Sequence, residues 1–219
     1  MENSSKLTKQ IIITCCVMGL LLVLDIGTKL GVYFALGGVD GANIEVIPNF
    51  FWIYLTFNRG ALASFLANVS FGRILLSILS IVGSAVSIYY LVKHFKTLNI
   101  WYRIALYLFI PGCTGNLIDR VGIYQTPGVI DFLRFRLFNS YDFPVFNVAD
   151  SCLTISIIVF IIAFIVTDND KKKENNMRFI VCLIINSWAN ILLLYMIIYK
   201  NRSFKNQHCT EVTFGFALL

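Results

Sequence analysis

Two aspartates in this sequence each follow an asparagine at the same spacing, in largely apolar surroundings. Asn116 precedes Asp119 by three residues, and Asn147 precedes Asp150 by three. On a helix this spacing puts both side chains on one face, where the amide can orient the carboxylate with a hydrogen bond. Two carboxylates held close together cannot both ionise easily, so they share a proton. One can then act as general base on a water while the other donates to a carbonyl oxygen, which is chemistry that hydrolyses peptide bonds.

A second ionisable pair lies in the first apolar run. Asp25 and Lys29 are four residues apart, so on a helix they face each other and can form an internal ion pair that lowers the cost of burying both charges. We favour that interpretation over direct chemistry. The alternative is a Ser–Lys mechanism in which Lys29 activates Ser64 or Ser70.

The composition identifies the environment of these charges. Hydrophobic residues make up 58% of the 219 residues and charged residues 14%, against roughly 45–50% and about 25% in soluble domains. A chain of this length cannot hide so much apolar surface inside a soluble globule. We therefore expect a membrane protein.

Several other chemistries are disfavoured. The two histidines, His94 and His208, lie in different polar stretches, which argues against a histidine triad or a zinc site. The six cysteines include no CxxC pair, so neither a disulfide framework nor a metal cluster is expected. With no glycine-rich nucleotide loop either, no cofactor is predicted. The net charge of +6 is attributed to the cytoplasmic lysine bias of membrane proteins, not to nucleic-acid binding.

Membrane-spanning helices must position these aspartates. A helix that crosses a bilayer needs about 20 mostly apolar residues. The first run is not interpreted as a cleavable signal peptide, since it continues through its two charged residues without a small-residue cleavage site. Four runs are predicted to span, and a fifth is a further candidate: Ile11–Leu36, Ile74–Val92, Trp101–Ile118, Val145–Val166 and Phe179–Tyr199.

The lysines set the predicted orientation. They concentrate before the first run and in segments 93–100 and 168–178, so these parts are predicted to be cytoplasmic. Segments 37–70 and 119–146 then face outward. Asp119 ends the third span and Asp150 begins the fourth, and both carboxylates should reach the same outer face of the bilayer.

The two outer segments have compositions typical of interfacial structure. Ile44–Phe57 is rich in β-branched and aromatic residues, which predicts strands at the membrane interface. Segment 129–146 mixes five phenylalanines with Arg134 and Arg136, which fits an element lying on the lipid surface with its arginines outward. An ordinary aromatic belt is the alternative and is favoured for most of these residues.

Five short motifs occur in order over roughly residues 20–155, and together they resemble lipoprotein signal peptidase, or signal peptidase II, an aspartic peptidase family of the bacterial cytoplasmic membrane. The motifs are Asp25-Ile-Gly-Thr28-Lys29, Asn58-Arg-Gly60-Ala61, Gly112-Cys-Thr-Gly115-Asn116-Leu-Ile-Asp119-Arg120, Val129-Ile-Asp131-Phe132 and Phe146-Asn147-Val-Ala149-Asp150.

The resemblance implies an all-α membrane protein: a four-transmembrane-helix bundle with a small extracytoplasmic β-cradle and both termini cytoplasmic. Residues 1–170 would form the membrane peptidase domain. Residues 171–219 would add a basic linker and an apolar segment of unassigned role, which forms an extra fifth helix if it inserts.

The resemblance also implies the site and its substrate. The substrate would be a prolipoprotein whose cysteine carries a diacylglyceryl group, cleaved just before that cysteine at the outer face of the membrane. The enzyme would act as a monomer among membrane lipids, without metal, cofactor or nucleic acid. The catalytic residues would be Asp119 and Asp150, supported by Asn116, Arg120, Asn147, Asp25, Lys29, Asn58, Gly60 and Asp131.

Two departures and two alternatives accompany this interpretation. Ala61-Leu62-Ala63-Ser64-Phe65 lacks the usual aromatic residue after the second motif, and Pro111 stands where a glycine is common; both predict altered packing. Aspartates in spans also mark ion paths, so a small proton-coupled carrier is one alternative. A non-enzymatic assembly factor is the other, and it predicts that Asp119→Asn is tolerated. The Gly-x-Gly-Asp motif of presenilin-like proteases is absent.

Overall fold

The computed structural model describes residues 2–58, 70–138 and 141–167. Within them the chain forms one helix, two strands, two helices, two strands and a fourth helix, in that order. The predicted C-terminal run Phe179–Tyr199, the serine Ser64 and the motif glycine Gly60 lie outside the described residues.

The helices coincide with the four predicted apolar runs. Three of them contain stretches long and apolar enough to cross a membrane, which are Ser5–Ala35, Arg73–His94 and Val148–Val166. Their outer faces carry exposed side chains such as Leu20, Val92 and Ile165, as expected of helices surrounded by lipid. The four helices are α1 (Glu2–Ala35), α2 (Ser70–His94), α3 (Ile100–Arg120) and α4 (Val148–Thr167).

Helix α3 forms the centre of the bundle and packs against the other three helices. Its buried face carries Tyr102 and Ala105, which pack in one cluster with Phe160 and Ala163 of α4. Ser156 in α4 donates a hydrogen bond of 2.9 Å to the carbonyl oxygen of Ala105. In lipid, apolar burial does not drive helices together. Small side chains and interhelical hydrogen bonds therefore stabilise their association.

Helix α1 ends in a glycine motif that turns the chain toward the sheet. Gly37 adopts a φ of +63°, in the left-handed region that a residue without Cβ enters at no steric cost. Its N–H donates to Phe34 and that of Gly38 donates to Tyr33, at 3.2 and 2.8 Å. These two bonds form a Schellman motif and satisfy carbonyls at the end of the helix.

The four strands form one antiparallel sheet, and their order in the sheet is their order in the chain. Two of them lie between α1 and α2 in the sequence, and the other two lie between α3 and α4. The strands predicted within Ile44–Phe57 are confirmed as a hairpin. The strand bounds are β1 (Asn43–Ile47), β2 (Phe51–Asn58), β3 (Val129–Leu137) and β4 (Tyr141–Asp142). The molecule is thus mostly helical with one small sheet.

Segment 129–146 contains β3 and β4, and β3 pairs with β2, so this segment is part of the sheet; its position on a lipid surface, or in an aromatic belt, stays a prediction. Phe135 lies opposite Phe51 in the register, and their rings stack with centroids 4.6 Å apart. The arginines are held within the sheet: Arg134 lies over the ring of Trp52 at 5.4 Å, and Arg136 donates to Asp142 at 2.8 Å. Cross-strand contacts therefore hold these aromatic and arginine side chains within the sheet.

Candidate active site

A buried ion cluster joins α1 to the end of α3. The Nζ of Lys29 lies 2.8 Å from Asp25 Oδ2 and 3.0 Å from Asp119 Oδ2, and it donates to Asn116 Oδ1 at 3.0 Å. Two carboxylates and one amide oxygen therefore surround the ammonium, the carboxylates as ion-pair partners and the amide oxygen as a hydrogen-bond acceptor. Lys29 and Asp119 have no exposed surface. The predicted Asp25–Lys29 ion pair is confirmed. Because the amine of Lys29 is buried and ion-paired, it is not free to activate a serine in a Ser–Lys mechanism.

Close packing of α3 against α4 brings this cluster beside the first turn of α4. A Cβ built on Gly115 would overlap the carboxylate of Asp25 and come within 3.3 Å of Ala149 Cβ. Gly115 and Ala149 are therefore the small residues at which α3 and α4 approach each other closely. Because Gly115 has no side chain at this point, Asp25 Oδ1 can accept a hydrogen bond of 2.8 Å from the backbone N–H of Ala149. This bond satisfies one of the free N–H groups at the start of α4.

Asn147 and Asp150 cap α4 reciprocally. Asn147 Oδ1 accepts from the backbone N–H of Asp150 at 2.9 Å, and Asp150 Oδ2 accepts from the backbone N–H of Asn147 at 3.3 Å. This is a capping box with Asn147 as N-cap and Asp150 as the third helical residue. The positive end of the helix dipole also favours a carboxylate at this position.

The same asparagine reaches Asp131 on β3. Asn147 Nδ2 donates to Asp131 Oδ1 at 2.7 Å, and Asp131 also hydrogen-bonds to Asn58 of β2. Asp131 is 2% exposed. Burial, and after it the charge of Asp150, raise the pKa of Asp131 well above its ordinary value. Asp131 and Asp150 are thus two carboxyl groups close enough for the charge of one to oppose ionisation of the other.

Asn116 links the ion cluster to Asp150. Its Oδ1 accepts from Lys29 and, at 3.1 Å, from Asn147 Nδ2. Its Nδ2 donates to Asp150 Oδ1 at 2.7 Å. Both oxygens of Asp150 therefore accept hydrogen bonds, and the side chain of Asp150 is only partly buried.

Asp119 has different surroundings from Asp150 although each follows an asparagine by three residues. It lies in the last turn of α3, where the helix dipole disfavours a carboxylate. The ammonium of Lys29 and the backbone N–H of Ile130, which donates at 3.2 Å, compensate its charge. The described contacts of Asp119 lead to Lys29 and β3, whereas those of Asp150 lead to Asn116 and, through Asn147, to Asp131.

The remaining predicted residues lie around this centre. Arg120 acts electrostatically on both Asp150 and Asp131 and donates to Ser80 Oγ on α2 at 3.3 Å. Asp25, Lys29, Asn116, Asn147 and Asn58 all belong to the network described above. The sequence interpretation missed the backbone N–H groups of Ala149 and Ile130, since hydrogen bonds from the main chain leave no trace in residue type. Among the residues that the structure describes, no group of three histidine, cysteine or acidic side chains is placed to hold a metal ion.

Apolar helices around a buried cluster of carboxyl groups define a membrane protein with an ionisable site at one end of its helices. The sequence profile described as signal peptidase (SPase) II matches residues 17–166. The chain therefore belongs to the signal peptidase II family, as its motifs predicted.

Similar proteins agree with this assignment. The chain is 37% identical over 135 residues to a lipoprotein signal peptidase of Staphylococcus aureus strain MRSA252, covering 61% of this chain and 78% of the relative. The corresponding protein of strain JH9 is 36% identical over the same length and coverage.

Two solved structures are also similar. A bacterial membrane enzyme determined by the in meso method at 2.3 Å resolution superimposes with a TM-score of 0.59 at 31% identity, covering 73% of this chain and 92% of that one. A second, at 1.9 Å resolution, gives a TM-score of 0.57 at 33% identity, covering 69% and 91%.

Proposed function

We propose that this chain is an aspartic endopeptidase that removes signal peptides from prolipoproteins, cleaving just before a cysteine that carries a diacylglyceryl group. Membership of the signal peptidase II family and the names of the staphylococcal relatives support the substrate class. The buried carboxyl groups support the aspartic mechanism. A site beside the sheet, at one end of apolar helices, suits a substrate whose acyl chains stay in lipid.

The catalytic pair that we propose is Asp131 and Asp150. The sequence spacing predicted Asp119 and Asp150, and that pairing stays a prediction that the experiment below compares directly. The observation that favours Asp131 is its shared partner: Asn147 donates to Asp131 and exchanges two hydrogen bonds with Asp150. Asp119 is instead, together with Asp25, a counter-ion of Lys29, and protonating it would leave the buried ammonium with less compensation.

The chemistry follows from one shared proton. The ionised carboxyl takes a proton from water, whose oxygen attacks the carbonyl carbon of the scissile bond, while the protonated carboxyl donates to the carbonyl oxygen. Collapse of the tetrahedral diol breaks the C–N bond, and the amine of the cysteine leaves with a proton returned by the pair. Because the two groups titrate as a unit, acid and base are roles of the pair.

The proposed placement is the cytoplasmic membrane of a bacterium, with the sheet and the site at the outer face and the enzyme acting as a monomer. We propose that α3 also spans the membrane, in addition to the three helices named above. Its 21 residues reach about 32 Å at 1.5 Å per residue, and it packs between α2 and α4. Residues 1–170 would form the peptidase domain, and residues 171–219 would be a basic linker and an apolar appendage.

The test is cleavage of a diacylglyceryl-modified lipobox peptide by the full chain in liposomes, with the non-lipidated peptide as control. We expect Asp131→Asn and Asp150→Asn each to lose several orders of magnitude in kcat, as members of one catalytic unit do. Asp119→Asn should retain more activity than either. Full activity in Asp131→Asn together with loss in Asp119→Asn would restore the pairing predicted from the spacing. Intact lipidated peptide with wild-type enzyme would overturn the proposed function.

A further inference from the structure

The amide group of Asn116 has a fixed orientation. Its oxygen accepts from two donors, Lys29 Nζ at 3.0 Å and Asn147 Nδ2 at 3.1 Å. A flipped amide would place its NH2 group against both of them, so the nitrogen must face Asp150, to which it donates at 2.7 Å. Asn116 is 2% exposed, and water cannot easily replace these partners.

The two donors on that oxygen are not equivalent. Asn147 Nδ2 has two hydrogens and three acceptors within reach, namely Asn116 Oδ1, Asp131 Oδ1 and the carbonyl oxygen of Ile130, at 3.1, 2.7 and 3.2 Å. Lys29 donates to one hydrogen-bond acceptor, Asn116 Oδ1, and is ion-paired with Asp25 and Asp119. A charged donor also makes a stronger hydrogen bond than a neutral one. Lys29 is therefore the partner that holds Asn116 in place.

We propose that Lys29 is a positioning residue for the reaction: by holding the amide oxygen of Asn116, it keeps the amide nitrogen donating to Asp150. This inference rests on the proposed function, since it gives Lys29 a part in cleavage beyond balancing buried charge. Lys29 is not a catalytic residue, because its ammonium is enclosed by Asp25, Asp119 and Asn116 and has no exposed surface.

A double-mutant cycle tests the proposal. We expect Lys29→Met to lower kcat for the lipidated peptide by roughly tenfold to a hundredfold, the value of a hydrogen bond to a charged group, with KM little changed. In an Asn116→Ala background, the same substitution should have almost no further effect, because the residue through which Lys29 acts is gone. Equal losses in both backgrounds would overturn the proposal.

Lys29→Met leaves two buried carboxylates without a counter-ion, so a second variant separates folding from positioning. Lys29→Met/Asp119→Asn keeps one net negative charge in the cluster, as in the wild type with its two aspartates and one lysine. It should fold and have a lower kcat than Asp119→Asn alone. A kcat equal to that of Asp119→Asn in the folded double variant would contradict the proposal. The control is Lys93→Met, an exposed lysine near the end of α2 whose ammonium contacts Tyr89.

A spectroscopic readout works without cleavage. In the isotope-edited infrared spectrum, the carboxylate band that disappears in Asp150→Asn should shift in Lys29→Met, but not when Asn116→Ala is already present. If the wild type fails to cleave the lipidated peptide, the proposed function fails by itself, and this band then decides on the link from Lys29 to Asp150. An unshifted band would overturn the link.

Discussion

Asn147 and Asp150 exchange two hydrogen bonds across the first turn of α4: the asparagine side chain accepts from the aspartate backbone, and the aspartate side chain accepts from the asparagine backbone. One capping box therefore starts the helix and fixes a carboxyl group of the site. The spare amide nitrogen of Asn147 points across to Asp131. The start of the helix and the proposed catalytic geometry thus depend on different atoms of one side chain.

Asn147→Ser separates these two functions. A serine hydroxyl preserves the cap, because serine and asparagine are comparable N-cap residues, but it cannot donate to Asp131 as the amide does. We expect a large loss of kcat and a moderate fall in Tm, because the buried acceptors of the amide lose their donor at a cost of about 1–3 kcal/mol. Asn99→Ser is the matched control, since Asn99 caps α3 by accepting from the N–H of Trp101 at 3.0 Å, and it should leave both quantities unchanged. Normal kcat in Asn147→Ser would contradict the assigned contact with Asp131.

Gly115→Ala should destabilise the protein and the site together. The new Cβ would overlap the carboxylate of Asp25 and press on Ala149, which forces α3 and α4 apart. Overpacking of this kind costs about 1–3 kcal/mol, measurable as a lower Tm in detergent, with lost cleavage. Gly83→Ala is the control, because its Cβ would meet only the ring of Phe109 at an ordinary 3.6 Å. Equal Tm values for the two variants would contradict the packing described here.

The pH profile should report the proton held on Asp131. Since its pKa is raised by burial and by Asp150, Asp131 keeps its proton above the usual carboxyl value of about 4. As the pH rises through the raised pKa, a second negative charge forms beside Asp150, so kcat/KM should decline on the alkaline side. Folded protein binds this proton more tightly than unfolded protein, so the contribution of Asp131 to stability also falls over the same interval. A decline confined to the acid side would contradict the assignment.

Asp142 should show the opposite linkage. The hydrogen bond from Arg136 is the main cause that lowers the pKa of Asp142, so its contribution is present above the ordinary carboxyl pKa and is lost as the pH falls through the lowered value. Asp142→Asn should lower Tm slightly at neutral pH and leave the alkaline limb of the activity profile in place. The pair is about a third exposed, so high salt should reduce the difference. A Tm difference that persists in acid would exclude this cause.

The sequence predicts much of the fold, because the four long apolar runs have few other ways to be buried or surrounded by lipid. It also predicts the ion pair of Asp25 and Lys29, whose spacing of four fixes their contact on a helix. Pairing between β2 and β3 is harder to foresee, since the helices α2 and α3 separate the two strands in the chain. That tertiary pairing is what brings Asp131 to Asn147.

The repeated spacing of Asn116 to Asp119 and Asn147 to Asp150 suggested two equivalent pairs, and the structure makes them different. A spacing of three describes both two residues on one helical face and an N-cap with the third helical residue. The position of Asn147 just before an apolar run is a helix-start signal, and it distinguishes the second pair. Asn116 comes near the end of its helix, where no such cap exists.

The hydrogen bond from the N–H of Ala149 to Asp25 has a consequence for how the protein is made. Asp25 and Lys29 enter the membrane together in α1, Asn116 and Asp119 arrive with α3, and the N–H of Ala149 and the carboxyl of Asp150 arrive with α4. The ion pair of α1 therefore lacks its other partners until α3 and α4 have been made. A chain inserted only as far as α2 would carry this pair in the membrane without the rest of the proposed site.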